Sequence, residues 1–111
     1  MNKKIVVDYK KTYSSDGCVY NQTITLNKKF IKYINKNIKE YHNSSSDVKD
    51  ILCKTIGFSK YYDCYLEELD INKKNIFLTL TQLKYIYYYL SINNYNVKRI
   101  LHRNTKLNII E

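Results

Sequence analysis

"TITLNKKFIKYINKNI", residues 23 to 38, changes its apolar period midway, and that change decides the fold. Ile24 and Leu26 alternate with threonines, the period of two that lays one face of a β-strand against a core. From Phe30 onward the apolar residues Phe30, Ile31, Ile34, Ile38 and Tyr41 recur at the spacing of an amphipathic helix. Asn27 stands at the switch, where its side-chain oxygen can accept from a free backbone N–H of the first helical turn. The stretch therefore predicts a strand running directly into a helix over 27–42.

Upstream, "KKIVVDYKKTYSSDGCVYNQTITL" (3–26) reads as a hairpin, two β-rich runs divided by the turn residues Ser14, Ser15, Asp16 and Gly17. A four-residue loop sets Tyr13 opposite Cys18, Val7 opposite Ile24 and Ile5 opposite Leu26, so that one face collects the apolar positions. The other face carries Asp8, Lys10, Asn21, Thr23 and Thr25, which suits water or a polar ligand.

Downstream, "HNSSSD" (42–47) ends the first helix, and Ser46 or Asp47 is placed to cap a second, short one carrying Val48, Ile51 and Leu52. Beyond Gly57, the residues Phe58, Tyr61, Tyr62, Tyr65, Leu66 and Leu69 fall at helical spacing, which favours helix over strand across 58–69. "NIFLTLTQLKYIYYYL" (75–90) then echoes the opening stretch: Ile76 and Leu78 align with Ile24 and Leu26, "LKYI" with "IKYI", and Leu90 with Ile38. This is a weak internal strand–helix repeat, 23–38 and 75–90, in which Thr79 or Thr81 takes the capping place of Asn27. The tail predicts a short helix around Val97 to Arg103 and a last strand at "KLNII".

A chain of 111 residues suffices for one core and is too short for two. The expectation is a single α+β domain over 1–111. The N-terminal hairpin and one or two further strands would make an antiparallel sheet, with helices packed on one face.

Lys, Asn, Ile and Tyr make up about half of the residues, a bias that an AT-rich genome produces by itself. Proline is absent and the two glycines are Gly17 and Gly57, so nothing resembles a flexible linker. The formal net charge is +9 and is uneven: residues 1–42 and 71–111 are basic, whereas 43–70 are acidic. Such a surface favours polyanionic partners. Cys18, Cys53 and Cys64 are odd in number and contain no CxxC, and the only histidines are His42 and His102, so neither a metal site nor a disulfide framework is expected. No Gly-rich phosphate loop is present, and no cofactor is expected. The apolar run in "MNKKIVVDYKK" is too short for a signal peptide and no span of membrane length follows, which predicts a cytoplasmic protein without membrane attachment.

Two surfaces stand out. If Ile31, Ile34 and Ile38 point inward, the rotation of 100° per residue groups Lys29, Lys32, Lys36 and Lys39 outward with Tyr33 at their border. Lysines beside an aromatic ring can track phosphates and stack bases. Lys98, Arg99 and Arg103 add to the same nucleic-acid or acidic-surface set. In "LKYIYYYLS" (83–91), Leu83, Ile86 and Leu90 facing inward take Tyr87 with them and leave Lys84, Tyr85, Tyr88 and Tyr89 on the far side. An aromatic patch there would contact a protein partner, unless residues 97–110 fold back over it.

No catalytic constellation emerges, since His42 and His102 lack an acid or nucleophile at fixed spacing. The expected function is non-enzymatic binding: a phage or viral accessory protein that occludes a host defence nucleoprotein, such as an RNA-guided nuclease. Its partner would be a protein or protein–RNA complex, with direct RNA or DNA contact left open. A second reading is a stand-alone nucleic-acid binder or transcriptional regulator, because residues 48–69 resemble a helix-turn-helix, with small Cys53, the turn Ile56-Gly57-Phe58 and Leu66. Asp63 where an apolar residue belongs, and Glu67, Glu68 and Asp70 towards phosphates, count against it. The third reading is a small metal-independent ribonuclease toxin using His42 or His102.

Overall fold

The computed structural model describes residues 9–13, 20–93 and 104–111. The chain runs β1 (Tyr9–Tyr13), β2 (Tyr20–Asn27), α1 (Lys28–His42), α2 (Ser46–Ile56), a 3-10 helix (Lys60–Tyr65), β3 (Asn75–Leu78), α3 (Leu80–Ile92) and β4 (Asn104–Ile110). The fold is α+β. Its four strands form one sheet in the order β1-β2-β4-β3.

The sheet is mixed, which corrects the antiparallel expectation. β1 and β2 pair antiparallel, as do β3 and β4, but β2 and β4 run parallel. Period-two alternation tells which face of a strand is buried and carries no information about strand direction, which depends on the connections. β4 is a central strand, with Gln22 opposite Thr105, Ile24 opposite Leu107 and Leu26 opposite Ile109. These six residues are buried and lie on the inner face. Thr23, Lys106, Asn108 and Phe77 have the opposite parity and lie on the outer face.

In the hairpin, Ile24 pairs with Tyr9 and Tyr13 with Tyr20. The expected register was therefore wrong by two residues; residues 14–19 lie outside the described residues. Because the slip is even, β2 keeps its faces: Ile24 and Leu26 still point to the core. Ile5, Val7, Asp8 and Cys18 lie outside the described residues, as does the helix expected over 97–103.

α1 forms as its pattern demands. The Asn27 carboxamide oxygen accepts from the Phe30 amide at 2.9 Å, and Phe30, Ile31, Ile34, Ile38 and Tyr41 are buried. α3 has the fuller cap: Thr79 Oγ1 accepts from the Gln82 amide at 3.1 Å while Gln82 Oε1 accepts from the Thr79 amide at 3.0 Å. Asn27 and Thr79 are the equivalent positions of the sequence echo, and in each half a strand passes straight into a capped helix. α2 is capped by Ser45, one residue before the expected site, and is closed by Gly57 in the left-handed region at φ 97°. There the Gly57 and Phe58 amides both donate to the Cys53 carbonyl, at 2.8 and 3.0 Å.

Residues 58–69 are not an α-helix. Lys60–Tyr65 make a 3-10 helix, and the chain beyond it is irregular although Leu66 and Leu69 are fully inserted in the core. Irregular backbone in such a place needs partners, and side chains supply them. Thr79 Oγ1 donates to the Tyr65 carbonyl (2.9 Å) and Gln82 Nε2 to that of Glu67 (2.9 Å). Asn35 takes both backbone groups of Leu69: its Nδ2 donates to the carbonyl at 2.8 Å and its Oδ1 accepts from the amide at 2.7 Å. The capping residues of α3 thus also hold the strap that lies against it.

Candidate nucleic-acid interface

The lysine face of α1 forms as a surface. Lys29, Lys32, Lys36 and Lys39 are all exposed on the side of the helix opposite Ile31, Ile34 and Ile38. Tyr33 borders them, 39 % exposed. Its ring is held edge-on against Tyr89 (centroids 5.5 Å apart, 84° between planes) and tilted against Phe30 at 5.8 Å. A ring fixed by its inner edge and open on the outside can stack on a ligand with little loss of rotamer freedom. Lys39 approaches Glu68 at 3.8 Å, a contact between two exposed side chains that contributes little. Lys29, Lys32 and Lys36 form no ion pair among the described residues. Lys98, Arg99 and Arg103 lie outside the described residues.

The second expected surface is corrected. Tyr85 is 1 % exposed and Tyr89 9 %, Tyr88 is half-buried, and Lys84 is half-buried with its Nζ donating to the Gly57 carbonyl at 2.7 Å. The Tyr85 hydroxyl donates to that of Tyr89 at 3.3 Å, and their rings lie 4.8 Å apart. Burial pushes the Tyr85 phenol well above its ordinary value, and its bond to Tyr89 adds to the shift. Tyr89 is also raised by burial, although its bond to Tyr85 works the other way. Tyr87, expected in the core, is there, with Gln22 Nε2 donating to its hydroxyl at 2.7 Å. The assumption that failed is the width of the wet face: eight residues of α3 are buried, and what is left exposed or partly exposed is the narrow stripe of Leu80, Lys84, Tyr88, Ser91 and Ile92. The signal was present, since "LTQLKYIYYYLSI" has Lys84 as its one charged residue, too little to fill a broad polar face, and so apolar a helix buries most of its circumference.

The exposed tyrosines are elsewhere. Tyr61, Tyr62 and Tyr65, expected on the inner side of a helix, stand out from the 3-10 helix, with Tyr61 91 % exposed. Tyr62 and Tyr65 join Phe58, Leu80 and Lys84 around a shallow cleft of ≈ 600 Å³. The sequence reading missed these because a 3-10 helix turns the same residues to other directions than an α-helix does.

The helix-turn-helix resemblance over 48–69 is overturned for the same reason. α2 and the glycine turn exist, but the place of the recognition helix is taken by the 3-10 helix and the side-chain-held strap. The ring of His42 packs against Tyr41, and its Nε2 lies 2.7 Å from the Leu66 carbonyl, which takes the proton of that nitrogen. It is the fourth side chain tied to the 65–69 strap, after Thr79, Gln82 and Asn35. His102 lies outside the described residues. Of the thiols, Cys53 is buried against the Tyr41 hydroxyl at 3.1 Å and Cys64 is exposed. Among the described residues no three His, Cys, Asp or Glu side chains gather as a metal site would require, and no helix is long and apolar enough to cross a membrane. No protein-family model, curated protein or solved structure matches this chain.

Proposed function

We propose that the chain is a non-enzymatic binding protein that occludes a nucleoprotein in the cytoplasm, with the lysine face of α1 on exposed phosphates. The observation that carries this reading is the joint exposure of Lys29, Lys32, Lys36 and Lys39 on one helix face beside the pinned ring of Tyr33. Four cations on one side of a rigid helix raise encounter rates with a polyanion and release counterions on binding. The compact, basic, tyrosine-rich composition supports a phage or viral accessory inhibitor of a host defence complex, such as an RNA-guided nuclease. In that mechanism occupancy of the phosphate surface is itself the inhibition.

The test is a triple substitution, Lys29→Glu, Lys32→Glu and Lys36→Glu, which leaves the Lys39–Glu68 contact in place. RNA binding by the wild type should fall steeply with salt, because each neutralised phosphate adds about 0.7 to the slope of log K against log salt for a single strand. The variant should lose that binding while keeping its circular dichroism spectrum. Wild-type binding that is indifferent to salt removes the reading.

A further inference from the structure

We propose that the outer face of the sheet is a second binding surface, a platform for single-stranded nucleic acid. α1 and α3 cover the inner face, so this surface lies on the other side of the domain from the lysines of α1. The register sets Thr23 beside Lys106 and Lys106 beside Phe77 in a row across it. The next row sets Thr25 beside Asn108 and Asn108 beside Asn75. Thr25 is buried and accepts from Asn108 Nδ2 at 3.5 Å, so the polar groups this row offers a ligand are the amides of Asn108, partly exposed, and Asn75, exposed.

Phe77 is the decisive residue. It is 77 % exposed on the short edge strand β3, where the fold gains nothing from an aromatic ring. An exposed ring on a sheet, with amides that read base edges and a lysine one strand away, is the set of groups that unpaired bases require. Adjacent strands are about 4.8 Å apart, so Lys106 reaches the phosphate flanking a base stacked on Phe77. Among the described residues of β2, β3 and β4 on this face the charged side chain is Lys106, partly exposed. Glu111 follows β4 and lies 3.4 Å from Lys28 Nζ. The acidic residues of the described chain otherwise sit on the helices and the 60–70 segment. A duplex has no unpaired base to offer a lone ring, so the occupant is a single strand.

The experiment is fluorescence anisotropy with a labelled short oligouridine and with an RNA duplex of the same length. It compares the wild type, Phe77→Ala, Lys106→Glu and the α1 triple variant. The oligouridine should bind more tightly than the duplex, and Phe77→Ala should weaken it about tenfold or more, as removal of a stacking ring does. Lys106→Glu should weaken it and flatten the salt slope. Phe77 is exposed, so thermal melts of its variant should match the wild type. Oligouridine affinity unchanged in both sheet variants overturns the proposal, and so does equal or tighter binding of the duplex. If the α1 variant alone loses affinity, the lysine-face reading stands and the sheet platform does not. If the sheet variants alone lose it, the reverse holds, and a wild type that binds neither probe overturns both.

Discussion

Asn35 offers the sharpest test of how this chain holds an irregular strap against its core. Asn35→Ala removes two hydrogen bonds at once, the 2.8 Å bond to the Leu69 carbonyl and the 2.7 Å bond from its amide. Each contributes about 1 kcal/mol net, and leaving both part-buried backbone groups without partners adds roughly 1 kcal/mol more, for a loss of about 3 kcal/mol. With a urea slope of about 1.5 kcal/mol per molar for a chain of this size, the unfolding midpoint should fall by about 2 M. Asn37→Ala is the internal control. The Asn37 amide donates only to the Tyr33 carbonyl within its own helix, at 2.8 Å, and alanine is the better helix former. That variant should stay within about 0.5 kcal/mol of the wild type. If both alanine variants unfold at the same urea concentration, Asn35 does not hold the strap and the account of residues 65–69 fails.

The two groups of tyrosines should respond oppositely to truncation: Tyr85→Ala should cost about 3–5 kcal/mol, and Tyr61→Ala less than about 0.5 kcal/mol, by urea titration. Similar losses at both sites would mean that core and surface have been exchanged. Stability should also fall in alkali. Burial raises the phenols of Tyr41, Tyr85 and Tyr89 above the ordinary value of about 10, with the bond to Cys53 adding at Tyr41. The unfolded chain therefore loses these protons first. Stability is intact below a pH of about 10 and declines as the pH rises beyond it, by up to about 1.4 kcal/mol per pH unit for each group. A urea midpoint that stays level from pH of about 9 to about 11 contradicts their burial.

The parts of the fold legible in the sequence are those where one local pattern had one meaning. Ile24 and Leu26, then Asn27, then Ile31, Ile34 and Ile38 specify strand, cap and helix in succession, and the lysines of α1 are outward because those isoleucines are inward. Strand direction was illegible, since "KLNII" reads the same beside β2 in either sense. The hairpin register slipped by two because Tyr9 and Val7 serve equally well opposite Ile24 in an alternating pattern. At 58–69 the spacing of Leu66 and Leu69 was read correctly as buried and wrongly as helical. Nothing local shows that Asn35, His42, Thr79 and Gln82 would supply the backbone partners a helix would otherwise provide. The candidate site divides in the same way: the α1 lysines follow from a helix with one broad wet face, whereas Tyr85 and Tyr89 were misplaced because the wet stripe of α3 is too narrow to include them.

The central position of β4 bears on how this protein is made. β1 and β2 can pair as soon as they are synthesised, but β3 touches no strand except β4. Until residues 104–110 have been made, the sheet exists as a hairpin and one detached strand, with the inner faces of β2 and of α3 uncovered. Folding of the domain therefore waits for the ribosome to pass residue 110. Its key pairing, Asn21–Asn27 against Asn104–Ile110, closes a loop of most of the chain, and such long-range parallel pairing is slow. The nascent chain spends that interval with apolar strand and helix surfaces in water, the condition under which chaperones engage a polypeptide.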